Sequence, residues 1–117
     1  MAVHESELIE ASQAISSESY ERALAILEPL VAQAVPGALG LLGLMYQLGT
    51  GVELNGPKAV ALLSRAAELG DGVSAHNLGT IYAMGLPGVP QNFELSRKFY
   101  RAAKAMGAQF APNEFYE

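Results

Sequence analysis

Two histidines and no cysteine leave this chain of 117 residues few ways to do chemistry. Thiolate zinc sites, iron–sulfur clusters, thiol nucleophiles and disulfide frameworks are all closed to it. His4 has only Glu7 at helical spacing to share a metal, and His76 has no carboxylate or second histidine three or four residues away, so no metal site is expected. Asp71, Ser74 and His76 offer the three groups of a hydrolytic relay, but crowded into one turn they cannot reach the relay geometry. His76 is expected to face solvent. The run from Gly51 to Lys58 approximates a phosphate loop, yet no Ser or Thr follows Lys58 and Pro57 removes a backbone donor where phosphate needs one. Gly49-Thr50-Gly51 lacks the third glycine and the strand of a dinucleotide fingerprint. Arg97, Lys98, Arg101 and Lys104 form the one basic cluster; Arg97, Arg101 and Lys104 fall on one outer face opposite Phe99, Tyr100 and Ala103, with no aromatic interleaved, which reads as a solvated face. The expectation is therefore a non-enzymatic chain with no catalytic residues, no cofactor and no metal.

Half of the residues are apolar and only 16% are charged, with a net charge of −5. A chain of this size and composition buries a real core as one domain and is not a disordered tail. The acidity argues against nucleic acid and for a cationic protein partner. It is unevenly placed: residues 1–57 carry seven Glu and only Arg22, whereas residues 58–117 are nearly neutral. The longest apolar stretch, residues 38–52, is too short to span a bilayer and is broken by four Gly. The opening MAVHESELIE lacks the basic and apolar regions of a secretory signal, so a cytoplasmic protein is expected.

The chain repeats itself. Leu42-Gly43-x-x-Tyr46-x-x-Gly49-x-Gly51-Val52 returns as Leu78-Gly79-x-x-Tyr82-x-x-Gly85-x-x-Gly88-Val89, at an offset of 36 that becomes 37 after one inserted loop residue. Behind each copy lies a second apolar stripe, Ala59, Leu62, Leu63, Ala66, Ala67 and then Ser96, Phe99, Tyr100, Ala103, Lys104; a shift back by 36 finds Ala23, Ile26, Leu27, Leu30, Val31. The spacing is one face of an α-helix. It predicts helices at 4–16, 19–34, 38–48, 57–69, 74–84 and 92–106, with Pro29 kinking the second. Gly49, Gly70, Gly85 and Gly107 read as helix stops, Ser19 and Asn92 as N-caps, and Pro57 as a first-turn residue. No window alternates as a strand does. Gly43 and Gly79 sit inside helices, where Gly costs about 1 kcal/mol against Ala; their recurrence predicts close helix–helix approach, with Tyr46 or Tyr82 covering the gap.

The motif resembles the Sel-one-like repeat, a relative of the tetratricopeptide repeat, through Leu42, Gly43, Tyr46, Gly49, Gly51, Val52, Lys58, Ala59, Ala66, Ala67 and Gly70. A second copy runs through Ala75, Leu78, Gly79, Tyr82, Gly85, Gly88, Val89, Ala103 and Gly107. That resemblance implies a short right-handed all-α solenoid of about three helix-pair repeats. One domain is expected, with a degenerate pair at 1–37, repeats at 38–73 and 74–107 and a cap at 108–117. The first pair would turn Leu8, Ala11 and Ile15 inward. Such folds serve as adaptors, scaffolds or regulators, and their first helices line the concave surface. There Leu41, Leu44 and Leu48 stand where the second copy has Asn77, Thr80 and Met84, an apolar stripe beyond what repeat packing requires. These six residues, rimmed by the charges of Glu7 and Glu10, are the expected partner-binding set. The expected function is an adaptor or inhibitor, in its sharpest form an acidic immunity-type protein neutralising a basic toxin. The alternative is a self-assembling scaffold with the leucines in a homodimer seam. Neither nucleic acid nor membrane is expected as partner.

Overall fold

The computed structural model describes residues 4–108, which form six α-helices: α1 (Glu5–Ser16), α2 (Tyr20–Ala32), α3 (Pro36–Leu48), α4 (Gly56–Glu68), α5 (Gly72–Met84) and α6 (Phe93–Ala105). All six expected helices are present, and α3 and α5 begin two residues earlier than the apolar period suggested. Pro36 accounts for the first of these shifts. Its fixed φ suits the first helical position, where its missing N–H has no partner to lose. Pro29 lies inside α2 without ending it.

The helices pair in sequence as α1 with α2, α3 with α4 and α5 with α6, and each second helix packs on the first helix of the next pair. The first helices also touch one another across units, α1 with α3 and α3 with α5, whereas α2, α4 and α6 do not meet. That asymmetry curves the stack. It makes α1, α3 and α5 the inner layer and α2, α4 and α6 the outer one. The core runs along the stack, from Leu27, Leu30, Ala38, Leu42 and Met45 to Leu63, Leu78 and Ile81, and then to Ala75, Ala103 and Ala108.

Each pair is closed in the same way. The N–H of Asn55 donates to the carbonyl of Tyr46 at 3.0 Å, and that of Asn92 donates to Tyr82 at 2.8 Å, returning each loop to its first helix. Both asparagines then cap the second helix, accepting from the N–H of Lys58 and of Leu95 at 3.0 Å. Ser19, expected to cap α2, makes no side-chain cap bond. Asp71 caps α5 instead, a role its place before a run of small residues left unread.

The interior glycines do mark close approach, but the tyrosines one turn on are not what fills the space. A Cβ on Gly43 would lie 2.8 Å from Leu63, and one on Gly79 would lie 2.5 Å from the ring of Tyr100. Leu63 and Tyr100 hold equivalent positions on α4 and α6, so each unit sets its second helix against a bare stretch of its first. Where the stripe reads Ser96 in place of alanine, the buried hydroxyl donates to the carbonyl of Gly79 at 2.7 Å. The expected cap at 108–117 falls outside the described residues from 109 onward; Ala108 itself is buried.

Candidate functional site

The inner layer carries two adjoining hollows of about 240 and 210 Å³. Leu8 and Ser12 of α1, Leu41 and Leu44 of α3, and Val73 and Asn77 of α5 line the first, with Asp71 at its edge. The second continues along Ile15, Leu41, Leu44 and Leu48 to Thr50. They share Ser12, Leu41 and Leu44, so together they form one apolar groove across the three first helices.

Small residues make the groove possible. At Gly37 a Cβ would meet Leu8 at 2.7 Å, and at Gly40 it would meet the Ser74 hydroxyl at 2.6 Å and the Asp71 carboxylate at 2.7 Å. Without side chains there, α1 and α5 close onto the backbone of α3 and leave Leu41 and Leu44 between them. The Asp71 carboxylate accepts from the N–H and the hydroxyl of Ser74, which fixes it at the α5 N-terminus beside the hollow.

The cations are sorted by layer. All seven Lys and Arg residues lie on α2, α4 and α6: Arg22, Lys58, Arg65, Arg97, Lys98, Arg101 and Lys104. The inner layer has none; it bears Glu5, Glu7 and Glu10, with Asp71 at the cap of α5. Asp71 is the one charged residue that lines the groove, and a carboxylate set in low-dielectric walls concentrates a negative field at the mouth.

No hydrolytic relay is assembled. The Ser74 hydroxyl donates directly to Asp71, while His76 turns away to pack on the ring of Tyr100, with centroids 5.2 Å apart. The expectation that His76 faces solvent is therefore corrected: it is half-buried, and that burial holds its imidazole below the ordinary range near 6.5 by disfavouring the charged form. Among the described residues no group of three His, Asp or Glu side chains could hold a metal. No described helix is long and apolar enough to cross a membrane.

A family model, that of the Sel1 repeat, matches residues 36–71 and 72–107. The chain belongs to the Sel1 repeat family. Two solved structures agree. A Sel1 repeat protein from Oxalobacter formigenes is 32% identical, with a TM-score of 0.73 over 85% of this chain and 39% of its own. The protein c5321, a protective antigen of uropathogenic Escherichia coli displaying the same fold, is 26% identical, with a TM-score of 0.74 over 86% of this chain and 22% of its own. The chain thus spans well under half the length of either. No curated protein matches it. Sel1 repeats generally mediate protein–protein interaction, and their typical members are not catalysts.

Set on the Sel1 frame, the expected partner-binding residues divide. Leu41, Leu44, Leu48 and Asn77 come together along the groove. Leu41 and Leu44 are half-buried, while Leu48 is 60% exposed at the end of its helix. Met84, the counterpart of Leu48, is 76% exposed but lines neither hollow. Thr80 is turned away, its hydroxyl 2.9 Å from that of Tyr100 on α6. Glu7 and Glu10 stand on the exposed side of α1, where Glu7 meets His4 at 3.2 Å and Glu10 pairs with Arg22. Leu8, Ile15, Asp71 and Val73 were not anticipated as groove residues. Leu8 and Ile15 carried a signal, since their spacing read correctly as an inward stripe; Asp71 and Val73 carried none, because the comparison of copies began after them.

Proposed function

We propose that this chain is a non-enzymatic protein-binding module that takes its partner in the groove between α1, α3 and α5. The partner presents apolar side chains within a basic surface. One observation carries this reading: the apolar groove lies on the layer that holds carboxylates and no lysine or arginine. Apolar anchors supply affinity, and a field of one sign speeds approach and orients it. The finest form of the reading is an inhibitor that neutralises a basic protein, such as a nuclease toxin, by covering its cationic surface.

The test compares affinity capture by the wild-type chain with capture by Leu44→Asp and by Asn77→Arg. The first puts a charge among the groove leucines; the second puts a cation in the hollow without removing a buried contact. Both are expected to lose the partner while keeping the far-UV circular dichroism of the wild type, and salt should elute it, since exposed charges more than about 10 Å apart are screened near 0.1 M. Retention of the same proteins by both variants, or a complex indifferent to salt, would sink the reading.

Leu48 and Met84 favour a second reading. They stand 36 residues apart at the ends of α3 and α5, and both are exposed, as the apolar side chains of a homodimer seam would be. Light scattering over a concentration series decides it, and a constant monomer mass would rule it out.

A further inference from the structure

The second helices share one register, so each position on α2 has counterparts 36 residues on in α4 and 37 further in α6. Tyr20, Gly56 and Phe93 are the first residues of the three. The next unit covers the first two: a Cβ on the loop residue Gly51 would lie 2.7 Å from the Tyr20 side chain, and one on Gly56 would lie 2.6 Å from the Pro87 carbonyl. Phe93 is 60% exposed.

The pattern continues down the helix. Leu24 and Val31 of α2 pack on the cluster that holds Ala38, Leu42 and Met45 of α3. Val60 and Ala67 of α4 pack on the cluster that holds Leu78 and Ile81 of α5. Their counterparts on α6 are Arg97 and Lys104, both exposed. Arg101, also exposed, stands between them where α4 has Ser64. Residues 93, 97, 101 and 104 follow at i, i+4, i+8 and i+11, one stripe about 16 Å long at 1.5 Å per residue. No ion pair among the described residues involves these three cations.

We propose that this stripe is a second docking face, separate from the inner groove and opposite to it in sign. Its occupant is an acidic amphipathic helix of a partner protein, laid along α6 as α3 lies along α2 and α5 along α4. Continuity of the stack is one support, since the register positions of Arg97 and Lys104 pack on the core of the next unit in both preceding units. Charge complementarity is the other: Arg97 and Lys104 stand where apolar or small residues suffice for the fold, and with Arg101 between them, at a position that α2 fills with the exposed Glu28, they select carboxylates. Phe93 anchors one end of the stripe.

The test uses the full chain and a fluorescent synthetic helix of about 16 residues, long enough to follow the stripe, with glutamates and one leucine on a single face. A scrambled isomer of equal charge and a single-stranded oligonucleotide serve as competitors of other kinds. Anisotropy should report binding of the acidic helix that weakens about tenfold between about 50 and 300 mM salt. Arg97→Glu with Lys104→Glu should weaken it by about tenfold or more, and Phe93→Ser should weaken it severalfold. Arg65→Glu with Lys98→Glu changes the net charge equally but off the stripe, and should leave binding nearly unchanged. The proposal is overturned if the full chain does not bind the helix, if the off-stripe pair costs as much, if the scrambled isomer binds equally, or if the oligonucleotide binds more tightly.

Discussion

Gly79 lacks a side chain because Tyr100 occupies the space one would need, with ring atoms 2.5 to 2.8 Å from the position of a Cβ. Thr80 holds the Tyr100 hydroxyl at 2.9 Å and His76 flanks the ring, so the ring has little freedom to yield. Two effects of Gly79→Ala then compete. Helix propensity favours alanine by about 1 kcal/mol, whereas forcing a methyl group into a packed site costs about 1–3 kcal/mol. We expect the clash to win, with a lower denaturation midpoint in urea and an unchanged slope. An equal or higher midpoint would mean that the ring moves aside.

Helix ends show how the degenerate first pair differs from the two Sel1 units. Gly70 and Gly107 stand just past α4 and α6 at φ of 97° and 85°, but the same place after α2 is held by Ala34 at φ 55°. A left-handed non-glycine residue costs about 1–2 kcal/mol, more than the extra chain entropy that a glycine loses, about 0.4–1 kcal/mol. Ala34→Gly should therefore stabilise the chain by up to about 1 kcal/mol in thermal unfolding; destabilisation would show that the methyl group is needed. At the other ends, Asn55→Ala and Asn92→Ala should each cost about 1 kcal/mol, while Ser19→Ala should be close to neutral because Ser19 caps nothing. Equal losses at all three sites would refute that distinction.

Across the molecule, stability is expected to be greater inside the stack than at its first helix, because each unit is held by its neighbours. Only Ala11 and Ala14 of α1 are fully buried, its N-cap His4 makes no side-chain cap bond, and Glu18 after it sits at φ 60°. By contrast α3 and α5 each bury six residues between neighbours on both sides. Amides of α1 should exchange with solvent first and those of α3 and α5 last. Uniform protection, measured by mass spectrometry in native conditions, would contradict this ordering. Charge is organised at the same scale: the division is less between halves of the chain than between an inner layer without cations and an outer layer that holds them all.

The helices, their pairing and the family were legible in the sequence, since an offset of 36 and a period of 3.6 are local signals that repeat packing cannot hide. The groove was legible in part: the surplus leucines could be counted against the second copy, but Thr80 looked equivalent to Leu44 until α6 was seen to claim its hydroxyl. Only the tertiary structure decided which glycines admit which neighbours, brought Leu8 and Asp71 beside Leu41, and set every lysine and arginine on the outer layer. Those outcomes depend on contacts between residues far apart in the sequence, such as Gly79 with Tyr100 and Gly40 with Ser74. Such contacts are fixed by the curvature of the stack, which comes from first helices that touch across units while second helices do not.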